Sequence, residues 1–211
     1  MPPVVLADSA LWRVQMEFKD DLHPLPGHAI QPVKKWTAVE KQQVMLAAET
    51  AHLLAPGLVQ RVTAYRPLQL FRVDSLIADA FAMVILSHHG LYVSDRLFDP
   101  STRKPMEDTL IHEWAHLVDP AWMNETDPVW VSEVAPRMHR VRAAVREMGG
   151  RYFDTSVEHL NPVFSKIQGR QFRHLALREG MPALYACTNM SESLAVSLER
   201  RIKGYQPSKV M

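Results

Sequence analysis

The chain has 211 residues, with 24 Lys and Arg against 23 Asp and Glu, a formal net charge of +1. That balance gives no electrostatic reason to expect nucleic acid or an anionic membrane as a partner. At 47% hydrophobic and 22% charged residues the composition is that of an ordinary globular protein. A single cysteine, Cys187, excludes an intrachain disulfide. No apolar run reaches the roughly 18 residues of a membrane span. The N-terminus lacks a basic stretch followed by a long apolar one, so no secretory signal is expected. These features lead us to expect a monomer made in the cytoplasm, with export left open.

Taken in chain order, residues 1–36 carry Pro2, Pro3, Pro24, Pro26 and Pro32 and read as an irregular arm. A short strand or helix near Leu11–Phe18 is the one element expected there. Residues 37–211 read as a single domain. Thr37-Ala38-Val39-Glu40 is a capping box, with Thr37 facing the amide three residues on and Glu40 reaching back. It opens a helix to about Leu54, with Val44, Ala47, Ala48, Ala51 and Leu54 inward, stopped by Pro56-Gly57. Val59–Tyr65 alternates like a strand, and Arg72–Ala82 reads as a helix capped near Asp74. Met83–Leu86 and Leu91–Val93 flank Ser87-His88-His89-Gly90 as a hairpin would. A further helix begins near Met106–Thr109.

Downstream, Asp127-Pro128 is a cap followed by a first-turn proline, opening a helix to about Met148 with a kink at Pro136. Helix is expected around Asn161–Gln168 and Phe172–Arg178. The last helix spans Asn189–Lys203, with Leu194, Leu198 and Ile202 inward and Gly204 as its stop.

The residues that carry chemistry are His112-Glu113-Trp114-Ala115-His116, an H-E-x-x-H motif. Imidazoles four apart on a helix lie one turn apart on the same side, about 6 Å along the axis, within reach of one metal ion. Zinc suits neutral imidazole and keeps a position open for water. Glu113 can take that water's proton. Leu110, Trp114, Leu117 and Val118 form an apolar stripe, and His112 and His116 face away from it with Asp119. Pro120 ends the helix.

A catalytic zinc ordinarily has three protein ligands. Trp122 and Asp119 stand where one zincin group has its third ligand and its glycine, so that group is rejected. A glutamate on a later helix is the other arrangement. Glu192 fits it best, in the first turn of the last helix with small Ala195 one turn on. Glu133, Glu158 and Asp119 are the alternatives, and Glu192 also reads as a capping-box partner of Asn189.

The segment from Tyr185 to Ala195, with Tyr185 and Glu192 seven apart, resembles the Tyr-x6-Glu segment of lethal-factor-like metalloproteases, a branch of the gluzincins. His112-Glu-Trp-Ala-His116-Leu-Val-Asp119 resembles their H-E-x-x-H-x-x-D. The resemblance spans residues 83–203 and departs at Val196, where many gluzincins place an acidic residue. It implies an α+β zincin-like fold: a small mixed sheet over the active-site helix, with later helices carrying the third ligand. It also implies a zinc endopeptidase in which Tyr185 steadies the substrate oxyanion. A toxin or effector setting is implied by the same analogy. The strand near Gly90–Ser94 is expected to be a sheet edge that pairs with an extended polypeptide substrate. The competing expectation is a metal-binding regulatory or interaction protein that cleaves nothing.

The remaining candidates carry less chemistry. His88 and His89 sit in a turn. Cys187 lacks a His/Asn partner in the sequence that would make it a nucleophile. Arg137, Arg140, Arg142 and Arg146 along one helix read as a solvated face.

Overall fold

In a computed structural model, residues 16–20, 31–63, 66–76, 79–85, 90–102, 104–118, 128–147, 169–181, 185–187 and 190–202 are described. The class is mixed α+β. The chain divides into two compact units, Met1–Val118 and Asp119–Met211, a boundary the sequence does not announce. No helix among the described residues is long and apolar enough to cross a membrane.

The first unit is built on a five-stranded mixed sheet. Its strands are β1 (Met16–Lys19), β2 (Gln31–Lys34), β3 (Leu68–Ser75), β4 (Ala82–Ile85) and β5 (Gly90–Val93). Strand β3 is central. One side takes β1, parallel along Leu68–Phe71, and then β2, antiparallel from Arg72 to Ser75. Parallel β5 lies on its other side, and antiparallel β4 closes that end. The first 36 residues are therefore not wholly an arm, because two of the five strands come from them. The Leu11–Phe18 element falls partly outside the described residues; what is described is β1.

Among the described residues, three helices accompany the sheet: α1 (Ala38–Leu54), α2 (Pro56–Thr63) and α3 (Met106–Ala115). Helix α1 begins as expected. The Thr37 hydroxyl accepts from the Glu40 amide at 3.2 Å, and Glu40 Oε2 accepts from the Thr37 amide at 2.9 Å. Val44, Ala47, Ala48 and Ala51 are buried, whereas Leu54, expected inward, is 44% exposed at the helix end. Ala55 ends α1 by donating to the Ala51 carbonyl, and its own carbonyl accepts from Leu58 and Val59. Pro56 therefore starts α2, as a proline can in a first turn.

The strand expected at Val59–Tyr65 is thus corrected to a helix through Thr63. Its buried residues, Leu58, Val59 and Val62, follow helical rather than alternating spacing. The helix expected at Arg72–Ala82 is corrected as well. Residues to Ser75 belong to β3, which is buried on both faces from Leu70 to Val73 and so shows no alternation. Asp74 lies within β3, and its carboxylate pairs with Lys34. The hairpin of β4 and β5 is present, while its turn at 86–89 lies outside the described residues.

Aromatic residues fix the two faces of the sheet. Phe71 and Tyr92 stack at 4.8 Å, 15° between planes, within a cluster that includes Val73, Leu76 and Ile85. Gly90 permits this, because a Cβ there would stand 3.0 Å from Phe71 Cε2 and 3.4 Å from Tyr92 Cε2. Burial pushes the Tyr92 phenol up to about 12. The Trp36 ring meets Phe18 edge-on at 4.9 Å and donates from Nε1 to the Leu70 carbonyl at 3.1 Å.

The second unit contains α4 (Pro128–Glu147), α5 (Gly169–Arg178), a 3-10 turn at Tyr185–Cys187, and α6 (Met190–Ile202). Helix α4 runs through Pro136 and packs against α5 and α6. Val134, Met138 and Val141 of α4, Leu175 and Ala176 of α5, and Ala186, Cys187 and Val196 share one apolar cluster. In α6 the expected inner residues Leu194 and Leu198 pack inward. The Ile202 side chain, the helix expected at Asn161–Gln168 and the stop at Gly204 lie outside the described residues.

The arginines of α4 are not all a solvated face. Arg137 donates from Nη1 to the carbonyls of Glu179 and Gly180, at 3.0 and 3.2 Å, and so satisfies backbone acceptors just beyond α5. Arg140 donates to Glu179 Oε2 at 2.6 Å. Gly180 adopts φ +67°, a left-handed position that closes the helix with Met181 N–H bonded back to Ala176 at 2.9 Å.

Candidate metal centre

The H-E-x-x-H segment lies on α3, as its pattern requires, but the helix is shorter than expected. It ends at Ala115, and His116 is the C-cap residue with φ −72° and ψ −18°. His116 therefore keeps near-helical geometry and stays one turn beyond His112. Their rings stand edge to face, 5.0 Å apart and 84° between planes. His112 is buried and His116 half-buried.

The rest of α3 fixes the helix in place. Leu110, Ile111, Trp114 and Ala115 are buried, and the helix packs against α1, α2 and β4. Such a helix cannot rotate without exposing Trp114, so its histidines are held by burial of the opposite stripe. Glu107 and Asp108 in the first turn favour the positive end of the helix dipole. The C-terminal end, where the histidines sit, carries the partial negative charge that favours a cation.

Glu113 is half-buried, and its Oε2 accepts from the Val84 amide of β4 at 3.0 Å. This contact ties the helix to the sheet, and sequence reasoning had no signal for it because the partners are 29 residues apart.

In the second unit, Glu192 lies in the first turn of α6 and is 7% exposed. The turn holding Tyr185 packs beside α6. The capping role of Glu192 toward Asn189 falls outside the described residues, as does the side chain of Tyr185.

Among the described residues, His112, His116 and Glu192 form a group that can hold a metal ion. Each offers one ligand atom, and these atoms all lie within 4.8 Å of one another. Two imidazole nitrogens and a carboxylate oxygen are a donor set suited to a divalent transition metal with one position left open. Of the alternatives, Glu133 is engaged elsewhere, in an ion pair with Arg137 one turn on. Asp119 and Glu158 lie outside the described residues, as do His88 and His89.

The strand expected to be a sheet edge is corrected. Gly90–Val93 is β5, an interior strand with β3 on one side and β4 on the other, and it is buried throughout. A run of Gly-Leu-Tyr-Val without polar alternation is the pattern of a strand covered on both faces. The edge is β4. Cys187 is buried, and burial pushes its thiol up to about 12, which suits a packing residue rather than a nucleophile. No protein-family model, no curated protein and no solved structure matches this chain.

Proposed function

We propose that this chain is a zinc-dependent peptidase of gluzincin type. The observation that carries the reading is the group of buried His112, half-buried His116 and buried Glu192, with Glu113 one residue after the first histidine. Zinc, when bound, supplies Lewis acidity that polarises the scissile carbonyl and acidifies the attacking water.

The chain's own residues supply the rest. Glu113 takes a proton as the water oxygen bonds to the carbonyl carbon. It returns that proton to the amide nitrogen as the carbon–nitrogen bond breaks. Tyr185 donates a hydrogen bond to the oxyanion formed from the carbonyl. The substrate is an extended polypeptide, and β4, the sheet edge whose Val84 meets Glu113, is the surface it pairs with.

A second reading, a metal-binding protein that cleaves nothing, draws on Val196. It is buried in the apolar cluster of the second unit, so position 196 offers no carboxylate where many gluzincins place one. One assay separates the two. Purified zinc-loaded protein is incubated with an unfolded polypeptide, with and without chelator, beside Glu113→Gln. Peptidase function requires chelator-sensitive cleavage and a loss of roughly 10²–10⁴-fold in the zinc-loaded variant. Zinc-loaded protein without cleavage favours the second reading.

A further inference from the structure

Strand β4 presents two kinds of backbone group, and its ladder determines which is which. The Ser94 N–H donates to the Phe81 carbonyl at 3.0 Å, and β4 pairs with β5 in the register Ala82↔Val93, Met83↔Tyr92, Val84↔Leu91, Ile85↔Gly90. Bonded and non-bonded pairs alternate along an antiparallel ladder. Counting from Phe81, residues Met83 and Ile85 turn their N–H and C=O toward β5. Ala82 and Val84 turn theirs to the outer side, where no described strand pairs.

The outward Val84 N–H is already committed, because it donates to Glu113 Oε2 at 3.0 Å. We propose that the Val84 amide is a positioning group for Glu113. In that role it is withdrawn from strand pairing, so a polypeptide added to β4 bonds through Ala82 and the Val84 carbonyl. The inference rests on the peptidase reading above. Its physical basis is that a glutamate has three side-chain torsions, whereas a catalytic base must be held within a fraction of an ångström of its working position. An N–H donating to a carboxylate is a strong, directional restraint. Here it comes from a strand that is itself hydrogen-bonded to the sheet core. The same bond fixes how a substrate strand sits. Pairing that needed the Val84 N–H would pull the base away, so bound and catalytic geometries coexist only when Ala82 leads the pairing.

Two experiments test this. Val84→Pro deletes the donor at an outward-facing position of an edge strand, where proline is tolerated. The expected variant keeps zinc and a cooperative fold, shows KM within about twofold of the parent, and loses roughly tenfold to a hundredfold in kcat. A raised KM with kcat preserved, or no change in either, overturns the proposal. If the proline variant does not fold, a backbone ester at Val84 removes the same N–H and keeps the side chain.

The second readout needs no activity. In metal-free protein the Val84 amide should be protected from hydrogen exchange and should exchange at least about tenfold faster in Glu113→Ala. A Val84 amide that exchanges equally fast in both proteins overturns the contact. Absence of turnover in the parent protein counts against the peptidase reading alone, since the exchange measurement still decides the Val84 bond.

Discussion

The Arg72 guanidinium donates to Glu40 Oε1 from Nε at 2.9 Å and from Nη2 at 2.8 Å, joining the middle of β3 to the first turn of α1. Arg72 is 3% exposed and also bonds the carbonyls of Val73 and Val93 and the carboxylate of Asp95. Its carbon Cζ lies 4.6 Å from the centre of the Phe98 ring. A buried guanidinium is tolerated because its donors are met from several sides.

This pairing makes stability depend on pH. Burial pushes the Glu40 carboxyl up, but bonds from Thr37 and Arg72 outweigh it, so the group sits below its ordinary 4.5. A carboxylate depressed in the folded state contributes stability above its unfolded value and loses it as pH falls through the folded one. Glu40→Gln keeps the capping geometry, which glutamine also satisfies. The variant should be less stable at pH 7 by about 1–3 kcal/mol. That gap should narrow as pH falls below the ordinary 4.5 and on through the lower folded value, because the parent loses the same contribution. Thermal unfolding of both proteins across pH measures it; a constant gap would show that charge is not the cause.

The site predictions separate metal ligands from a group that only meets the substrate. His112→Ala, His116→Ala and Glu192→Ala should each lower zinc content, since each removes one donor. Tyr185→Phe should retain zinc while lowering kcat, because its hydroxyl is assigned to charge that develops in the transition state. Elemental analysis beside turnover reads both. Stoichiometric zinc in Glu192→Ala would reject Glu192 as the third ligand and leave the histidines standing.

Cys187 is predicted to be inert in the native protein. Its thiol is fully buried and pushed up to about 12, so almost no thiolate exists near neutrality. Iodoacetamide at pH 8 should label it only after denaturant is added. Labelling at the native-state rate of an exposed cysteine would contradict the packing around Ala186 and Val196.

Gly180 is the clearest backbone constraint in the second unit. At φ +67° any other L-residue is strained, and an added Cβ would stand 2.4 Å from Arg137 Nη1 unless that side chain moved. Gly180→Ala should therefore destabilise by roughly 1–2 kcal/mol. Arg137→Ala should destabilise as well, by removing donors to the Glu179 and Gly180 carbonyls. Denaturant unfolding of the two single variants and the double tests their coupling, and the losses should be less than additive.

What could be read in the sequence was what is local. The capping box at Thr37, the H-E-x-x-H turn, the β4–β5 hairpin and the start of α4 each depend on residues a few positions apart. What was missed depends on distance. Strand β3 hid because burial on both faces erases alternation, and β1 and β2 are strands only by virtue of pairing with it. Val59 and Val62 are β-branched, as strand residues often are, but Pro56 opens a helix that carries both. Of the site, His112, Glu113, His116 and Glu192 were nameable from spacing and resemblance, whereas the Val84 donor to Glu113 follows only from tertiary structure.

Strand β3 has one further consequence. Its outer side is covered along its length by two short segments from the beginning of the chain, Met16–Lys19 and then Gln31–Lys34. Removal of those segments by proteolysis or truncation would leave Leu68-Gln69-Leu70-Phe71-Arg72-Val73-Asp74-Ser75 as a bare template of eight residues, half of them Leu, Phe or Val. Such an uncovered strand recruits copies of itself, so a chain beginning after Lys34 should assemble into β-rich aggregates.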